Sequence, residues 1–227
     1  MNLSLPRSEL ATYTARQLNH FFPDGHDLTG SDLMPGLDVA LDRLHFCFRH
    51  AISPRYNGPD GTHLNHLYAD HYLMYLWFLA NSLSRQGADR RLLSKLYYLN
   101  KALHAFDCMY DTGLPDIFLI FHGSGTMLGK ATYGNFFVAL QGCTIGAHHG
   151  KYPTLGQGVA LAAQSSIIGP CQIGHGASVS CQTGLFQTDV PDHHVAYRDK
   201  EGRLIIKPSA RSYAQTFFNV DCTPPQT

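Results

Sequence analysis

Five aliphatic residues, Leu155, Leu161, Ile167, Ile173 and Val179, follow one another at intervals of six without a break. Small or polar residues stand between them: Gly156, Ala162, Gly169, Gly174, Gly176, Ala177 and Ser180. Upstream, Ile145 lies ten residues before Leu155, one hexad plus a four-residue insertion, and Ala139 and Tyr133 continue the six-residue step. No helical period survives in this half of the chain. A coil of three short strands, about eighteen residues around, has this period, because each hexad supplies one side. The branched aliphatic points to the axis and stacks on its equivalent one coil away, and the small residues allow the tight corners. An ordinary β-rich domain would need five consecutive coincidences to give the same spacing.

The first half has a different texture. Leu10, Tyr13, Thr14 and Leu18 fall near helical spacing. Ser31 is positioned to cap a helix through Leu33, Leu37, Ala40, Leu41, Leu44 and Phe48, with Pro35 in its first turn. From His66 to Leu83 the residues Leu67, Tyr68, His71, Tyr72, Tyr75 and Leu76 keep an i, i+3, i+4 pattern, which predicts a well-buried helix ended by Gly87. Asp89 and Arg90 open another, with Leu93, Leu96, Tyr97, Leu99, Leu103 and Phe106 as apolar positions. The fold class expected is α+β. It has an α-helical domain at 1–110, a left-handed parallel β-helix of hexapeptide repeats at 111–195, and a C-terminal tail at 196–227.

Lys plus Arg and Asp plus Glu number 17 each, so no basic field argues for a nucleic-acid partner. Charged residues are only 15% of the 227, which fits a surface partly hidden in an oligomer. The longest apolar runs, such as Ile117–Phe121, are far too short to cross a bilayer, so no membrane is expected. Six cysteines form no CxxC pair and no secretory leader is evident, which reads as reduced thiols in the cytoplasm.

Three segments resemble the serine acetyltransferases, hexapeptide-repeat acyltransferases with a helical N-terminal domain. Phe121-His122-Gly123-Ser124-Gly125, with Leu128-Gly129 after it, is similar to that family's Asp-His-Ala-Thr-Gly segment and following Val-Gly. Leu140-Gln141-Gly142-Cys143-Thr144-Ile145-Gly146 is similar to its Leu-Gln-x-Val-Thr-Leu-Gly coil. Lys151-Tyr152-Pro153-Thr154-Leu155-Gly156 stands where the family has Arg-His-Pro-Lys-Ile. The resemblance runs from about His66 to Val190. It departs at Phe121, where the family has an acid expected to help hold the acceptor, and at Tyr152, where it has a second histidine for the acceptor carboxylate. The tail Tyr197-Arg198-Asp199-Lys200-Glu201-Gly202-Arg203 also differs from the family's short ending.

The resemblance implies an acetyl-CoA-dependent O-acetyltransferase acting on a small hydroxylated acceptor, serine-like or related. Such transfer needs a base for the hydroxyl proton and a donor for the oxyanion. His122, inside a Gly-rich stretch at the domain junction, is the expected base. By triad logic a carboxylate should orient it, with Asp116 six residues earlier as first choice and Asp111 as second. Asp70 and His71 on the aromatic helix, and His149 and Tyr152 on the insertion loop Gly146–Pro153, are the acceptor-binding candidates. Small Gly142, Ala162, Ala163 and Ser180 would leave room for the pantetheine arm. A backbone N–H near Gly142 or Gly146 would hold the oxyanion, and Lys151, Arg198 or Lys207 would meet the CoA phosphates. No metal is expected. A homotrimer, or a dimer of such trimers, is the expected assembly. Three other readings stay open: a sugar or glycan O-acetyltransferase, a γ-carbonic-anhydrase-like zinc enzyme using His122, His148 and His149, and a non-catalytic scaffold that has kept the fold.

Overall fold

The structure, a computed structural model, describes residues 1–224. Four helices come first: α1 (Arg7–Phe21), α2 (Gly30–Phe48), α3 (Ala69–Arg85) and α4 (Arg90–His104). Helix α3 is buried at every residue from Asp70 to Leu83, and α2 and α4 pack on either side of it. Three short strands, β1 (Asn2–Leu3), β2 (Asn57–Gly58) and β3 (Gly61–Leu64), tie the chain start to the α2–α3 connection. The cap of helix α2 lies two residues before the Ser31 read from sequence. Thr29 is the cap, its backbone N–H donating to Asp32 Oδ2 at 2.7 Å and its hydroxyl at 2.8 Å. This reciprocal box outcompetes a lone serine because it satisfies donors at both ends. Helix α4 opens as read, with the Asp89 carboxylate accepting from the N–H groups of Arg91 and Leu92.

The β-helix follows, one hexad to a side. Its first coil is β4 (Phe118–Ile120), β5 (Met127–Leu128) and β6 (Thr132–Tyr133). The second is β7 (Phe137–Ala139), β8 (Thr144–Gly146) and β9 (Thr154–Leu155). The third is β10 (Ala160–Leu161), β11 (Ser166–Ile168) and β12 (Gln172–Ile173). The fourth is β13 (Ser178–Val179) and β14 (Gly184–Phe186), with Val190 bridging to Ile173 where a third strand would lie. The coil is left-handed, and all the pairings between coils are parallel. Face one stacks β4, β7, β10 and β13; face two β5, β8, β11 and β14; face three β6, β9 and β12.

The hexad residues are the axis. Ala139, Leu161 and Val179 stack on face one, Ile145, Ile167 and Leu185 on face two, and Tyr133, Leu155 and Ile173 on face three, all buried. Removing these side chains from water supplies roughly 1.5–3 kcal/mol apiece for the larger ones.

The helices seat on the first coil. The Cys47 thiol donates to the Phe118 carbonyl at 2.9 Å, and the Phe118 ring stacks on Phe78 with centroids 5.3 Å apart. At the far end β15 (His194–Arg198) joins face one beside β13, and β16 (Leu204–Pro208) folds back antiparallel on it. The outermost strand carries Lys207 and Pro208, residues that discourage further pairing at an edge. The tail then returns the length of the β-helix. Ser212 Oγ donates to Gly158 O at 3.2 Å, Ile52 N–H to Phe217 O at 2.9 Å, and Asn219 N–H to His50 O at 2.9 Å. The tail thus straps the β-helix to the helical half.

Candidate active site

After β4 the chain turns from face one to face two through Phe121-His122-Gly123-Ser124-Gly125, and this corner is gripped by the helices. His122 has φ +52°, a conformation that costs a side-chain-bearing residue on the order of 1 kcal/mol. Its backbone N–H donates to Asp70 Oδ1 at 2.9 Å, from the first turn of α3. Gly123 lies directly under Leu73, where a Cβ would collide with the leucine Cδ1, so any larger residue requires the leucine to move. Gly125 N–H donates at 3.0 Å to the carbonyl of Ala105, the left-handed residue that ends α4.

These elements enclose a cleft of about 370 Å³ whose polar lining is Asp70, His104, His122 and Ser124. Asp70 is nearly fully buried, while His122 is exposed. His104 has its Nδ1 2.8 Å from Asn100 Oδ1, and burial pushes its imidazole down to about 4. It is therefore neutral near pH 7, and the amide oxygen assigns the proton to Nδ1. Sequence reading missed His104 because nothing in the chain between α4 and Ser124 announces that the helix end meets this corner.

Below His122 the same corner repeats coil by coil as a ladder. Gly142 N–H donates to Ser124 O at 3.0 Å, Gln164 N–H to Gln141 O at 2.9 Å, and Gln182 N–H to Ala163 O at 3.0 Å. Gly125, Gly142, Gln164 and Gln182 all have positive φ, the left-handed step that turns each corner. Gln182 Nε2 donates to Gln164 Oε1 at 3.2 Å. Ala163 and Ser180 are half-buried on this edge, as is Gly142, where a side chain would crowd Gln164. Ala162 is buried, with its N–H given to Val179 and its carbonyl accepting the Cys143 thiol, so it contributes shape alone. The Gly142 N–H, expected as an oxyanion donor, is engaged by Ser124.

The insertion stands on a different edge, between faces two and three. His148 and Lys151 exchange both backbone hydrogen bonds at 3.0 Å around His149 and Gly150, which have φ +48° and +71°. That is a two-residue hairpin of the type that needs left-handed backbone at both central positions. The His148 ring sits 4.1 Å from His149 and 4.7 Å from Phe186, while His149, Lys151 and Tyr152 are exposed. Gly146 begins this loop on the second edge.

The structure therefore brings His122 and Asp70 together and sets His149, Lys151 and Tyr152 apart from them within one chain. Asp116 is not brought to His122: it precedes β4 and His122 follows it, and the charge of Asp116 acts on Arg43. Asp111 pairs with Lys130 at 3.5 Å. His71 faces away from the cleft into the rings of Phe48, Tyr56 and Tyr68. Its Nδ1 accepts from Asn65 N–H at 3.2 Å, and burial pushes it down to about 4. Phe121 points into the same aromatic cluster, 5.6 Å from Tyr56 and 5.0 Å from Phe217 of the tail. Among the described residues no group of three or more His, Cys, Asp or Glu side chains is arranged to hold a metal ion. Among the described residues no helix is long and apolar enough to cross a membrane.

A helical domain seated on a short left-handed hexapeptide β-helix is the fold of the serine acetyltransferases. The enzyme of Brucella abortus superposes with a TM-score of 0.67 over 90% of this chain and 85% of its own, at 19% identity. The Vibrio cholerae enzyme gives 0.68 over 90% and 81%, at 17% identity. The soybean enzyme, solved in complex with serine, gives 0.62 over 89% and 85%, at 23% identity. In sequence, serine acetyltransferase 2 of Arabidopsis thaliana is 37% identical over 82 residues, 34% of this chain and a quarter of that protein's length. No protein-family model matches the chain.

Proposed function

We propose that this protein is an acetyl-CoA-dependent O-acetyltransferase for a small hydroxylated acceptor, with His122 as the general base. The observation that carries this reading is the position of His122. It stands at the head of a straight ladder of tight corners, in a cleft with room for a small acceptor. An imidazole nitrogen takes the hydroxyl proton as the acceptor oxygen forms its bond to the thioester carbonyl carbon. Collapse of the tetrahedral intermediate breaks the carbon–sulfur bond, and the leaving CoA thiolate takes the proton from the imidazolium. Ala163, Ser180 and Gly142 supply the low relief along which the pantetheine arm lies.

The reading gives the three segments separate work. The helices at 1–110 hold the base, the β-helix at 111–195 carries the donor, and the tail at 196–227 straps them together in a cytoplasmic homotrimer. In that assembly the second edge of one copy faces the first edge of its neighbour. His149 and Tyr152 then reach the acceptor and Lys151 a CoA phosphate; the separation of these residues from His122 within one chain is what favours a trimer over a single chain. Dimers of trimers through the helical domain are consistent with the same plan. Relatives solved with serine or cysteine bound favour an amino-acid-like acceptor. Phe121, sealed into an aromatic cluster, offers no charge to an ammonium group, which favours a sugar hydroxyl or a modified amino acid.

The test is a screen of hydroxylated acceptors with acetyl-CoA, following free thiol release. Acceptor-dependent release supports the reading. Stoichiometric zinc without acetyl-CoA binding by calorimetry would replace it with the zinc-enzyme alternative, and absence of both with the scaffold alternative.

A further inference from the structure

We infer that Asp70 is a positioning residue, acting through the backbone of His122 rather than on substrate; the inference rests on the reading of His122 as the base. The carboxylate is nearly fully buried, and Oδ1 accepts the His122 N–H at 2.9 Å across the junction between helical and β-helical halves. A residue with φ +52° and a side chain is held there by its surroundings, not by its own preference. Two groups on one face of α3 supply that hold. Asp70 pins the amide of His122, and Leu73, one helical turn on, covers Gly123 so closely that a Cβ there would displace the leucine side chain. One is directional and the other excludes volume, so together they fix both the place of the corner and the direction in which it presents the imidazole. The hold extends into α4, because the Leu73 carbonyl accepts Asn100 Nδ2 at 3.0 Å and Asn100 Oδ1 bonds His104, which lines the same cleft.

This role makes a prediction that acceptor binding does not. A backbone N–H needs an oxygen acceptor, not a negative charge. Asparagine keeps that oxygen and loses the charge, whereas alanine loses both.

The experiment compares Asp70→Asn and Asp70→Ala with wild type and His122→Ala in the full chain. Steady-state transfer is measured from acetyl-CoA to whichever acceptor the screen identifies. Hydrogen exchange by mass spectrometry of the peptide spanning Leu119 to Thr126 runs alongside, on samples matched for oligomeric size. Asp70→Ala is expected to lower kcat at least about tenfold, with both KM values within about twofold, and to speed exchange at the corner. Asp70→Asn is expected to recover most of kcat and of the protection. A raised acceptor KM in Asp70→Asn, with slow exchange retained, would overturn the inference and return Asp70 to the acceptor site. So would normal kcat in Asp70→Ala beside an inactive His122→Ala. Normal turnover in His122→Ala would overturn the base assignment itself, and the inference with it. The exchange measurement reads the anchor directly and does not depend on which residue is the base.

Discussion

The two edges of the β-helix carry functional candidates in opposite ways. On the first edge, His122 sits on a corner whose backbone is tied to α3 and α4 and whose next residue is wedged beneath Leu73. On the second, His149, Lys151 and Tyr152 belong to a hairpin closed on its own backbone, with the His148 contact to Phe186 as an outside support. A rigid mount suits a base that must meet its proton within a few tenths of an ångström, and a self-contained loop suits contacts to a ligand that arrives and leaves. The scaffold thus supplies precision on one edge and reach on the other.

The largest effect is expected from His122→Ala. Removing a general base costs at least about a hundredfold in kcat. Oligomeric size and the far-UV spectrum should stay at wild-type values, because the side chain is exposed. Turnover within a few-fold of wild type would end the role given to the first edge. Gly123→Ala tests the mount. Its Cβ would enter the space of Leu73, so denaturant unfolding should show a loss of about 1–3 kcal/mol, with reduced kcat. Full stability in that variant would mean that the corner yields freely.

Acid tests the helical side of the mount. His71 and His104 are pushed by burial from 6.5 to about 4 in the folded protein. The unfolded chain therefore binds more protons between those values. Stability is full above about pH 6.5 and falls as pH drops toward 4, by on the order of a few kcal/mol for the two together. Flat stability across that window, by urea titration at successive pH values, would show that neither histidine is sealed. The smallest effect belongs to the loop. His149→Gly removes a side chain from a left-handed position, so it should raise stability by a few tenths to about 1 kcal/mol and change KM more than kcat. A lowered kcat at unchanged KM would place His149 in the chemistry.

Much of the scaffold was legible in the chain, because a hexad obeys only local geometry. Leu155, Leu161, Ile167, Ile173 and Val179 point inward as their spacing requires, and the insertion leaves the coil where the period breaks. Helix α3 was equally plain, since its aromatic run has no polar face. The site was less so. Asp70 lies 52 residues before His122, and their meeting depends on how the helices seat on the first coil, a tertiary fact with no sequence period. Asp116 looked near by counting along the coil, but β4 carries His122 to the other end of a strand. His71 fell in the buried pattern of its helix and was also a candidate for the acceptor, and its neighbours are rings. The tail gave no sign of its return, because pairing between residues 50–52 and 217–219 joins segments far apart in the chain.

In the proposed enzyme one site is assembled from the first edge of one copy and the second edge of its neighbour. Two chains, each expected to be inactive alone, test this assembly. One carries His122→Ala. The other lacks residues 148–151, a deletion that restores the uninterrupted hexad spacing between β8 and β9. Refolded or co-expressed together, they form mixed oligomers in which about a quarter of the sites pair an intact histidine edge with an intact neighbouring loop. Acetyl transfer is expected well above that of either chain alone, rising with the degree of mixing. Mixed oligomers no more active than their parents would contradict it.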